Sequence, residues 1–138
     1  MSKISICVPC YNVERYIRQC LNSLICQTLE DIEIICVDDC SRDNTLNILE
    51  EYSEKHSNIK IVKHLQNRKL VQARKTAVAF ANGEYLMFVD SDDYIAPYTC
   101  EKLYNIIKDR NVDIVEFDCK QVDINGNEIN ANKSYCNL

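Results

Sequence analysis

The chain has 138 residues, the size of one compact domain rather than two. Hydrophobic residues make up 46% of it and charged residues 27%, with only two glycines and two prolines, which excludes the collagen-like and the highly charged disordered classes. The net charge of −5 excludes a broad basic surface for nucleic acid or anionic lipid.

No apolar run approaches the roughly 20 residues that a membrane-spanning helix needs. The amino terminus also lacks the long apolar stretch of a secretory signal. We therefore expect a cytoplasmic protein with no transmembrane segment. An acidic protein that binds phosphate needs a local source of positive charge, and a bound metal ion is the usual one.

Strand and helix periodicities alternate along the chain, which is the pattern of a layered α/β domain with a mostly parallel sheet. The predicted elements are a strand over 3–8, a helix over 13–25 with Asn12 as N-cap, a strand over 32–37, a helix over 44–55 capped by Asp43, a strand over 59–64, a helix over 70–81 ending at Asn82-Gly83, a strand over 84–89, a helix from Pro97 and a fifth strand over 112–117. The strand over 84–89 is almost continuously apolar, as expected of a strand covered on both faces. The predicted domain spans 1–118, and 119–138 form a short hairpin and tail with the turn at Asn125-Gly126.

Nine cysteines are present, an odd number without an export signal, so we expect no disulfide framework. Cys7, Cys20 and Cys36 fall at apolar positions, where a free thiol behaves as a small core residue. The alternative is a zinc site formed by Cys7, Cys10, Cys36 and Cys40. That alternative is disfavoured because each pair straddles the end of a predicted buried strand, so that its side chains point in different directions.

Polar clusters follow three of the predicted strands: Pro9-Cys10-Tyr11-Asn12, Asp38-Asp39-Cys40-Ser41 and Asp90-Ser91-Asp92-Asp93. Each cluster alone is also typical of an ordinary loop or helix cap. Together they are predicted to meet at the carboxyl edge of the parallel sheet, which is where ligands bind in such folds.

The third cluster places three carboxylates within four residues, where they repel one another unless a cation or a ring of donors holds them. Hard oxygen ligands of this kind suit Mg²⁺ or Mn²⁺, which also bind substrate phosphates. The alternative is a solvated acidic turn that caps the helix near Pro97. Because the chain has neither a Gly-x-x-x-x-Gly-Lys loop nor a glycine-rich dinucleotide loop, we expect phosphate to be held through the metal.

Three further side chains are candidates for ligand contacts. Asp39 is placed to accept a hydrogen bond from a base or ribose, and Tyr11 is placed to stack on a ring. Arg74 is the best-placed cation for a phosphate, with a solvated helix residue as the alternative.

The segments 8–17, 26–28, 37–45 and 82–93, in this order, resemble the inverting family 2 glycosyltransferases of the GT-A fold. The similarity runs from about Ile4 to Ile107. It implies a Rossmann-like, three-layer α/β/α fold whose N-terminal part binds a nucleotide-diphospho-sugar, often a UDP-sugar. It also implies direct, metal-assisted displacement at the anomeric carbon.

The same resemblance assigns roles to individual residues. Nucleotide-sugar binding falls to Pro9, Tyr11, Glu14, Asp39, Arg74, Asp90 and Ser91, and metal binding to Asp90, Asp92 and Asp93. Within this set Pro9, Tyr11 and Glu14 would border the nucleoside, and Asp39 would bond the base. The Asp90-x-Asp92 pair would contact ribose and metal.

The sequence departs from the family at three positions. Cys40 stands where the family usually has glycine after an acid pair, at a point that favours a positive φ. In the stretch 67–75, Lys69 and Lys75 replace the Gly and the last Asn of the family's Asn-x-Gly-Leu-x-x-Ala-Arg-Asn. We therefore expect altered packing or preference at the donor site.

No catalytic residue is assigned, because the family's general base and most of its acceptor site come from a segment well downstream of the D-x-D strand. Asp118 and Asp123 are the only aspartates after the predicted fifth strand, and neither matches that segment. The expected function is sugar transfer to a glycan or lipid-linked acceptor in cell-surface polysaccharide synthesis, with this chain as the donor-binding part. A homodimer, and peripheral membrane association of a longer form, are compatible with it.

Two other classes of protein are alternatives to this function. A receiver-type phosphoacceptor domain also binds Mg²⁺ through acids, but it needs acids after the first strand and a lysine after the fifth. This sequence has Pro9-Cys10 at the first place, and its nearest late lysine is Lys120. A non-catalytic association module would instead use the exposed sheet edge and the acidic loops to bind a partner.

Overall fold

The computed structural model describes residues 1–123 and 125–129, and the chain divides into two compact units, 1–105 and 106–138. The elements are β1 (Ile4–Cys10), α1 (Ile17–Ile25), β2 (Ile32–Asp38), α2 (Thr45–Lys55), β3 (Ile59–Lys63), α3 (Lys69–Phe80), β4 (Tyr85–Phe88) and α4 (Thr99–Arg110). No helix within the described ranges is long and apolar enough to cross a bilayer.

The four strands form one parallel sheet in the order β3-β2-β1-β4. β1 lies inside it, with Ile4 opposite Ile32 of β2 on one side and Tyr85 of β4 on the other. Because all four strands run in the same direction, their carboxyl ends meet at one edge. The predicted α/β class with a mostly parallel sheet is confirmed.

Helices cover both faces of β1 and β2, which is why these strands are apolar at nearly every position. On one face Val8 and Ile34 pack in a core with α1 and α2. On the other face Cys7, Ile35 and Val37 pack against the alanines of α3. Those alanines are Ala73 and Ala77, and they are buried.

The cysteines fit this two-faced core. Cys7, Cys20 and Cys36 are fully buried, which confirms that they behave as core residues. The four cysteines of the zinc alternative do not converge, since Cys7 packs on the α3 face while Cys10 and Cys36 pack on the opposite face. Cys40 instead donates from Sγ to the carbonyl oxygen of Leu65 at 3.8 Å.

β4 corrects one prediction, because it is covered on one face only. Leu86 and Phe88 are each 46% exposed, whereas Met87 between them is 7% exposed. α3 packs mainly on β1 and β2 and leaves much of this face of β4 exposed, although Arg74 of α3 lies beside the Phe88 ring. Among the described residues, no strand pairs with the outer side of β4. The continuous apolar run therefore marks an edge strand rather than a doubly covered one.

The predicted fifth strand over 112–117 is wrong, since these residues form neither strand nor helix. Val112, Ile114 and Phe117 are all exposed, so the apolar side chains that favoured a strand have no covered face. A strand without a partner and a packed face is not stable on its own.

The predicted hairpin turn is present in the unit 106–138. Gly126 has a φ of 83°, and its amide donates to the carbonyl of Asp123 at 2.9 Å. Strand pairing is limited to one antiparallel bridge between Val122 and Glu128 in the described part of this unit. Hydrogen bonds from Asn127, and from the Asn125 amide, hold the pKa of Asp123 below its ordinary value, so this carboxylate belongs to the turn.

The ends of the helices differ from the sequence expectation in two places. Asn12 does not cap α1, because its φ is 52° and its side chain accepts a hydrogen bond from the Arg42 amide at 2.8 Å. Asp43 does accept from the first amide of α2, that of Thr45, at 3.0 Å. Gly83 is not in a left-handed conformation. A Cβ there would lie 2.6 Å from the Ser5 amide nitrogen, so glycine is required by the close approach of the chain to β1.

Two positions, at which the glycosyltransferases that the sequence resembles usually have glycine, have a left-handed backbone. Cys40 has a φ of 63°, and Lys69, the first residue of α3, has a φ of 71°. A side chain in this region clashes with the following carbonyl, which costs roughly 1–2 kcal/mol. Glycine avoids the clash but loses more entropy on folding, so the net gain is smaller.

We expect Lys69→Gly and Cys40→Gly each to raise the free energy of unfolding by up to about 1 kcal/mol. The measurement is urea unfolding at neutral pH. Lys75→Gly is the matched control, because Lys75 is exposed inside the same helix, and there glycine should lower stability by about 1 kcal/mol. A loss of stability in Lys69→Gly equal to that of the control would contradict the backbone strain at this position.

Candidate functional site

A cavity of about 330 Å³ lies at the carboxyl edge of the sheet, within the size range of small-molecule sites. All three polar clusters and the start of α3 contribute to it. Its lining residues are Pro9, Cys10, Tyr11, Val13, Asp39, Asn67, Lys69, Leu70, Ala73, Asp90, Ser91 and Asp92. The structure thus brings together side chains that lie up to 83 positions apart in the sequence because three parallel strands end side by side.

The lining includes most of the residues singled out in the sequence. Those present are Pro9, Tyr11, Asp39, Asp90, Ser91 and Asp92, while Glu14, Arg74 and Asp93 are outside it. Asn67, Lys69, Leu70 and Ala73 also line the cavity, and no contact role was predicted for them from the sequence, although all four belong to the stretch 67–75 that contains Arg74.

Glu14 braces two loops instead of lining the cavity. Its carboxylate accepts a hydrogen bond from the Asn44 amide at 2.9 Å, and the Glu14 amide donates to the carboxylate of Asp43 at 3.1 Å. These reciprocal bonds hold the loop after β1 against the start of α2. Glu14 therefore stabilises the loop after β1, which contributes to the cavity wall, without lining the cavity itself.

Arg74 is paired with the acidic cluster. Its Nη2 donates to Asp90 Oδ1 at 2.7 Å, and its guanidinium carbon lies 5.7 Å from the centre of the Phe88 ring. Its Nε is buried and has no partner among the described residues. Both partners of the ion pair are partly exposed to solvent, so the pair adds little stability and its main effect is to orient Asp90.

The acidic cluster forms a tight turn directly after β4. The Asp93 amide donates to the Asp90 carbonyl at 2.9 Å, which turns the chain at this point. Asp93 is exposed, yet loss of solvation, followed by repulsion from Asp92 and Asp90, raises the pKa of its carboxyl. α4 begins only at Thr99, so these carboxylates do not cap its first turn.

The cluster fits a divalent cation that shares its coordination with a substrate. In the described part of the chain, no three His, Cys, Asp or Glu side chains converge to hold a metal ion by themselves. Asp90 and Asp92 nevertheless both line the cavity. Mg²⁺ and similar ions are usually bound by one or two carboxylates plus water and phosphate oxygens, and that is the donor set offered here.

Asp39 is the most firmly held side chain of the site. It is 3% exposed, and its Oδ1 accepts from His64 Nδ1 at 2.6 Å and from the Arg68 amide at 2.7 Å. Its Oδ2 accepts from the Lys69 amide at 2.8 Å. Burial would raise the pKa of this carboxyl, but the three donors outweigh burial and hold the pKa below its ordinary value. Asp39 is therefore ionised at neutral pH.

His64 was not predicted from the sequence, although a signal for it exists. β2 and β3 pair in parallel with Asp38 opposite Lys63, so the residues that follow, Asp39 and His64, leave the sheet as neighbours. An Asp and a His placed one residue past two adjacent parallel strands are thus candidates for contact. Recognising this requires knowing the register of the two strands.

The amino-acid sequence is similar to those of known glycosyltransferases. The chain matches the model of glycosyl transferase family 2 over residues 5–136. It is 46% identical over 115 residues to a poly(ribitol-phosphate) beta-glucosyltransferase of Bacillus spizizenii, which covers 81% of this chain and 18% of that protein. It is 41% identical over 112 residues to the uncharacterized glycosyltransferase EpsJ of Bacillus subtilis, covering 81% of this chain and 32% of that protein.

Solved structures show the same similarity. TarS 1–349 of S. aureus in complex with UDP-GlcNAc superposes with a TM-score of 0.75 at 40% identity, over 79% of this chain and 32% of that one. The mannosyltransferase PcManGT of Pyrobaculum calidifontis, in complex with GDP-Man and Mn²⁺, gives a TM-score of 0.67 at 26% identity, over 77% of this chain and 31% of that one. The chain spans less than two thirds of every one of these relatives. Its fold, the order of its motifs and the match along most of its length show that the chain belongs to glycosyltransferase family 2.

Proposed function

We propose that this chain is the donor-binding part of a glycosyltransferase that takes a sugar from a nucleotide-diphospho-sugar, a UDP-sugar above all. The observation that carries the proposal is the cavity at the carboxyl edge of the sheet, lined by Tyr11, Asp39 and the acids after β4. The complex of TarS with UDP-GlcNAc supports a uridine nucleotide. Family membership removes the receiver-type alternative.

The chain's own residues would bind and orient the two ends of the nucleotide. Tyr11 is 42% exposed at the cavity, which leaves ring surface for stacking on a nucleobase. Asp39 offers a buried, ionised acceptor for an N–H of the base. Asp90 and Ser91, in the turn that follows β4, would contact the ribose and the sugar.

Asp92 and Asp90 are the residues that would hold Mn²⁺ or Mg²⁺, with Asp93 as the adjacent acid. The Mn²⁺ in the PcManGT complex supports use of a divalent ion. When bound, such an ion stabilises the negative charge of the departing nucleoside diphosphate. Arg74, which already orients Asp90, would add positive charge at the same end of the cavity.

We propose that transfer is a direct displacement with inversion, and that the general base and most of the acceptor site lie outside this chain. The carboxylates that line the cavity in the described residues are Asp39, Asp90 and Asp92, and the proposed donor binding already uses all three. The acceptor would be a glycan or a lipid-linked molecule in cell-surface polysaccharide synthesis. The poly(ribitol-phosphate) acceptor in the name of the Bacillus spizizenii relative supports a polymer of this kind. A cytoplasmic location, and association of a longer form with a membrane surface or with a second copy, complete the proposal.

Titration calorimetry tests the donor site directly. We expect UDP to bind the folded chain in the presence of Mn²⁺, and binding to weaken when the metal is removed with EDTA, because the diphosphate then faces uncompensated carboxylates. GDP and CDP serve as comparison nucleotides. A chain that is folded by circular dichroism but gives no heat with any nucleoside diphosphate and Mn²⁺ would contradict the proposal and favour the association module.

A further inference from the structure

The carboxylate of Asp39 has one acceptor position left unused. A carboxylate offers about four lone-pair sites, two on each oxygen. Oδ1 accepts from both His64 and Arg68, while Oδ2 accepts from Lys69 alone among the described residues. Since Asp39 lines the cavity, its remaining acceptor position, on Oδ2, is the one available to a ligand.

His64 is fixed at both of its ring nitrogens. Its side chain is 6% exposed, and Nδ1 lies 2.6 Å from Asp39 Oδ1 while Nε2 lies 2.9 Å from the hydroxyl of Thr76 on α3. The His64 amide also donates to the Asp38 carbonyl at 2.9 Å. Because an ionised carboxylate can only accept, Nδ1 carries the proton toward Asp39.

Among the three donors to Asp39, His64 differs in kind. Arg68 and Lys69 contribute backbone amides, which stay whatever their side chains are. His64 contributes a rigid ring that reaches Oδ1 from the residue directly after β3. Two donors on Oδ1 and one on Oδ2 define the plane of the carboxylate, and without the ring Asp39 is free to rotate toward the two amides.

We propose that His64 is a positioning residue that fixes the carboxylate plane of Asp39, so that Oδ2 accepts an N–H from the nucleobase of the donor. This inference rests on the proposed function. It makes the His64–Asp39 pair the origin of a preference for bases that present an N–H at this edge, as uracil does, over cytosine, whose ring nitrogen at the same place is an acceptor. Such a site leaves Asp39 unpaired when cytosine is bound, which disfavours that base.

The test compares three ligands, UDP, CDP and inorganic pyrophosphate, each with Mg²⁺, by titration calorimetry. The wild-type chain should prefer UDP to CDP. In His64→Leu we expect that preference to fall about 10-fold, through weaker UDP binding, while pyrophosphate affinity stays unchanged. His64→Asn is the conservative variant, because its amide nitrogen occupies the place of Nδ1, and it should restore most of the preference.

Thr76→Val provides a second route that leaves His64 in place. Removing the hydroxyl at Nε2 loosens the ring, so the preference for UDP should fall by a smaller factor in a protein that keeps its packing volume. If UDP binds and its preference over CDP persists in both His64→Leu and Thr76→Val, the inference is wrong while the donor site stands. An equal loss of UDP and pyrophosphate affinity would also overturn it, because the pair would then only brace the fold. Absence of UDP binding by the wild-type chain counts against the proposed function itself.

Discussion

Asp92→Ala should abolish the cation-dependent part of UDP binding while the fold is retained. Asp92 is exposed, so its replacement disturbs little packing, yet it lines the cavity as a proposed ligand of the divalent ion. Loss of a residue that merely supports a metal ligand already weakens metal binding about 10- to 100-fold. We therefore expect a loss of UDP affinity of about 100-fold or more with Mn²⁺, measured by calorimetry, and almost none with EDTA.

Asp31→Asn is the matched control for this variant. Asp31 lies at the opposite end of the sheet, directly before β2, where its φ of 62° is one that asparagine also tolerates. Its ion pair with Lys3, at 3.5 Å, is exposed and contributes little. UDP affinity should be unchanged in this control. If Asp92→Ala still binds UDP in a Mn²⁺-dependent way, the assignment of Asp92 as a metal ligand is wrong.

The largest effect on stability is expected at Glu33, near the amino end of the inner strand β2. Glu33 is 4% exposed and accepts hydrogen bonds from Lys60 and from the Asn82 amide, both at 2.6 Å, and from the Ser5 hydroxyl at 2.5 Å. Burial would raise the pKa of its carboxyl, but these donors outweigh burial and lower the pKa to about 2. Glu33→Gln should reduce the free energy of unfolding at pH 7 by about 3 kcal/mol, because it leaves buried donors partly unpaired. Urea unfolding measures the loss.

The sign of the pH dependence follows from the lowered pKa. The stability that Glu33 contributes is fully present above its ordinary pKa of 4.5 and is lost as the pH falls toward about 2. The difference between wild type and Glu33→Gln should therefore shrink over this interval. Glu51 is the control, because Arg18 and Lys55 also lower its pKa to about 2, but on an exposed surface. Glu51→Gln should leave the unfolding free energy nearly unchanged. Equal losses in the two variants would contradict the role of burial.

Much of the fold could be predicted because the strands and helices differ in period. β1 and β2 are buried on both faces, and their apolar runs end in the polar residues that line the cavity, so the site edge could be located without coordinates. The glycine replacements at Cys40 and Lys69 were also informative, since both positions have a positive φ. Each of these features depends on residues that are close together in the sequence, so a short sequence pattern is enough to predict it.

The features that were not predicted correctly are determined by contacts between residues that are distant in sequence. β4 is as apolar as a doubly covered strand, but its exposure is decided by where α3 packs. Glu33 appears as one polar residue in an apolar run, and only the sheet register shows that Lys60 and Ser5 meet it. Gly83 resembles a helix-end signal but is explained by contact with Ser5. Each of these depends on tertiary packing rather than on periodicity.

Within 1–123 and 125–129, β4 is an edge strand, and this position bears on how the protein behaves at high concentration. An apolar strand at the edge of a sheet is a template onto which another extended segment can add, and proteins commonly protect such edges with lysine, proline or bulges. In the four residues of β4, Tyr-Leu-Met-Phe, none of these protections is present. With Leu86 and Phe88 both half exposed, we expect self-association through this edge to limit the solubility of the domain, and a charged residue at one of these two positions to oppose that association.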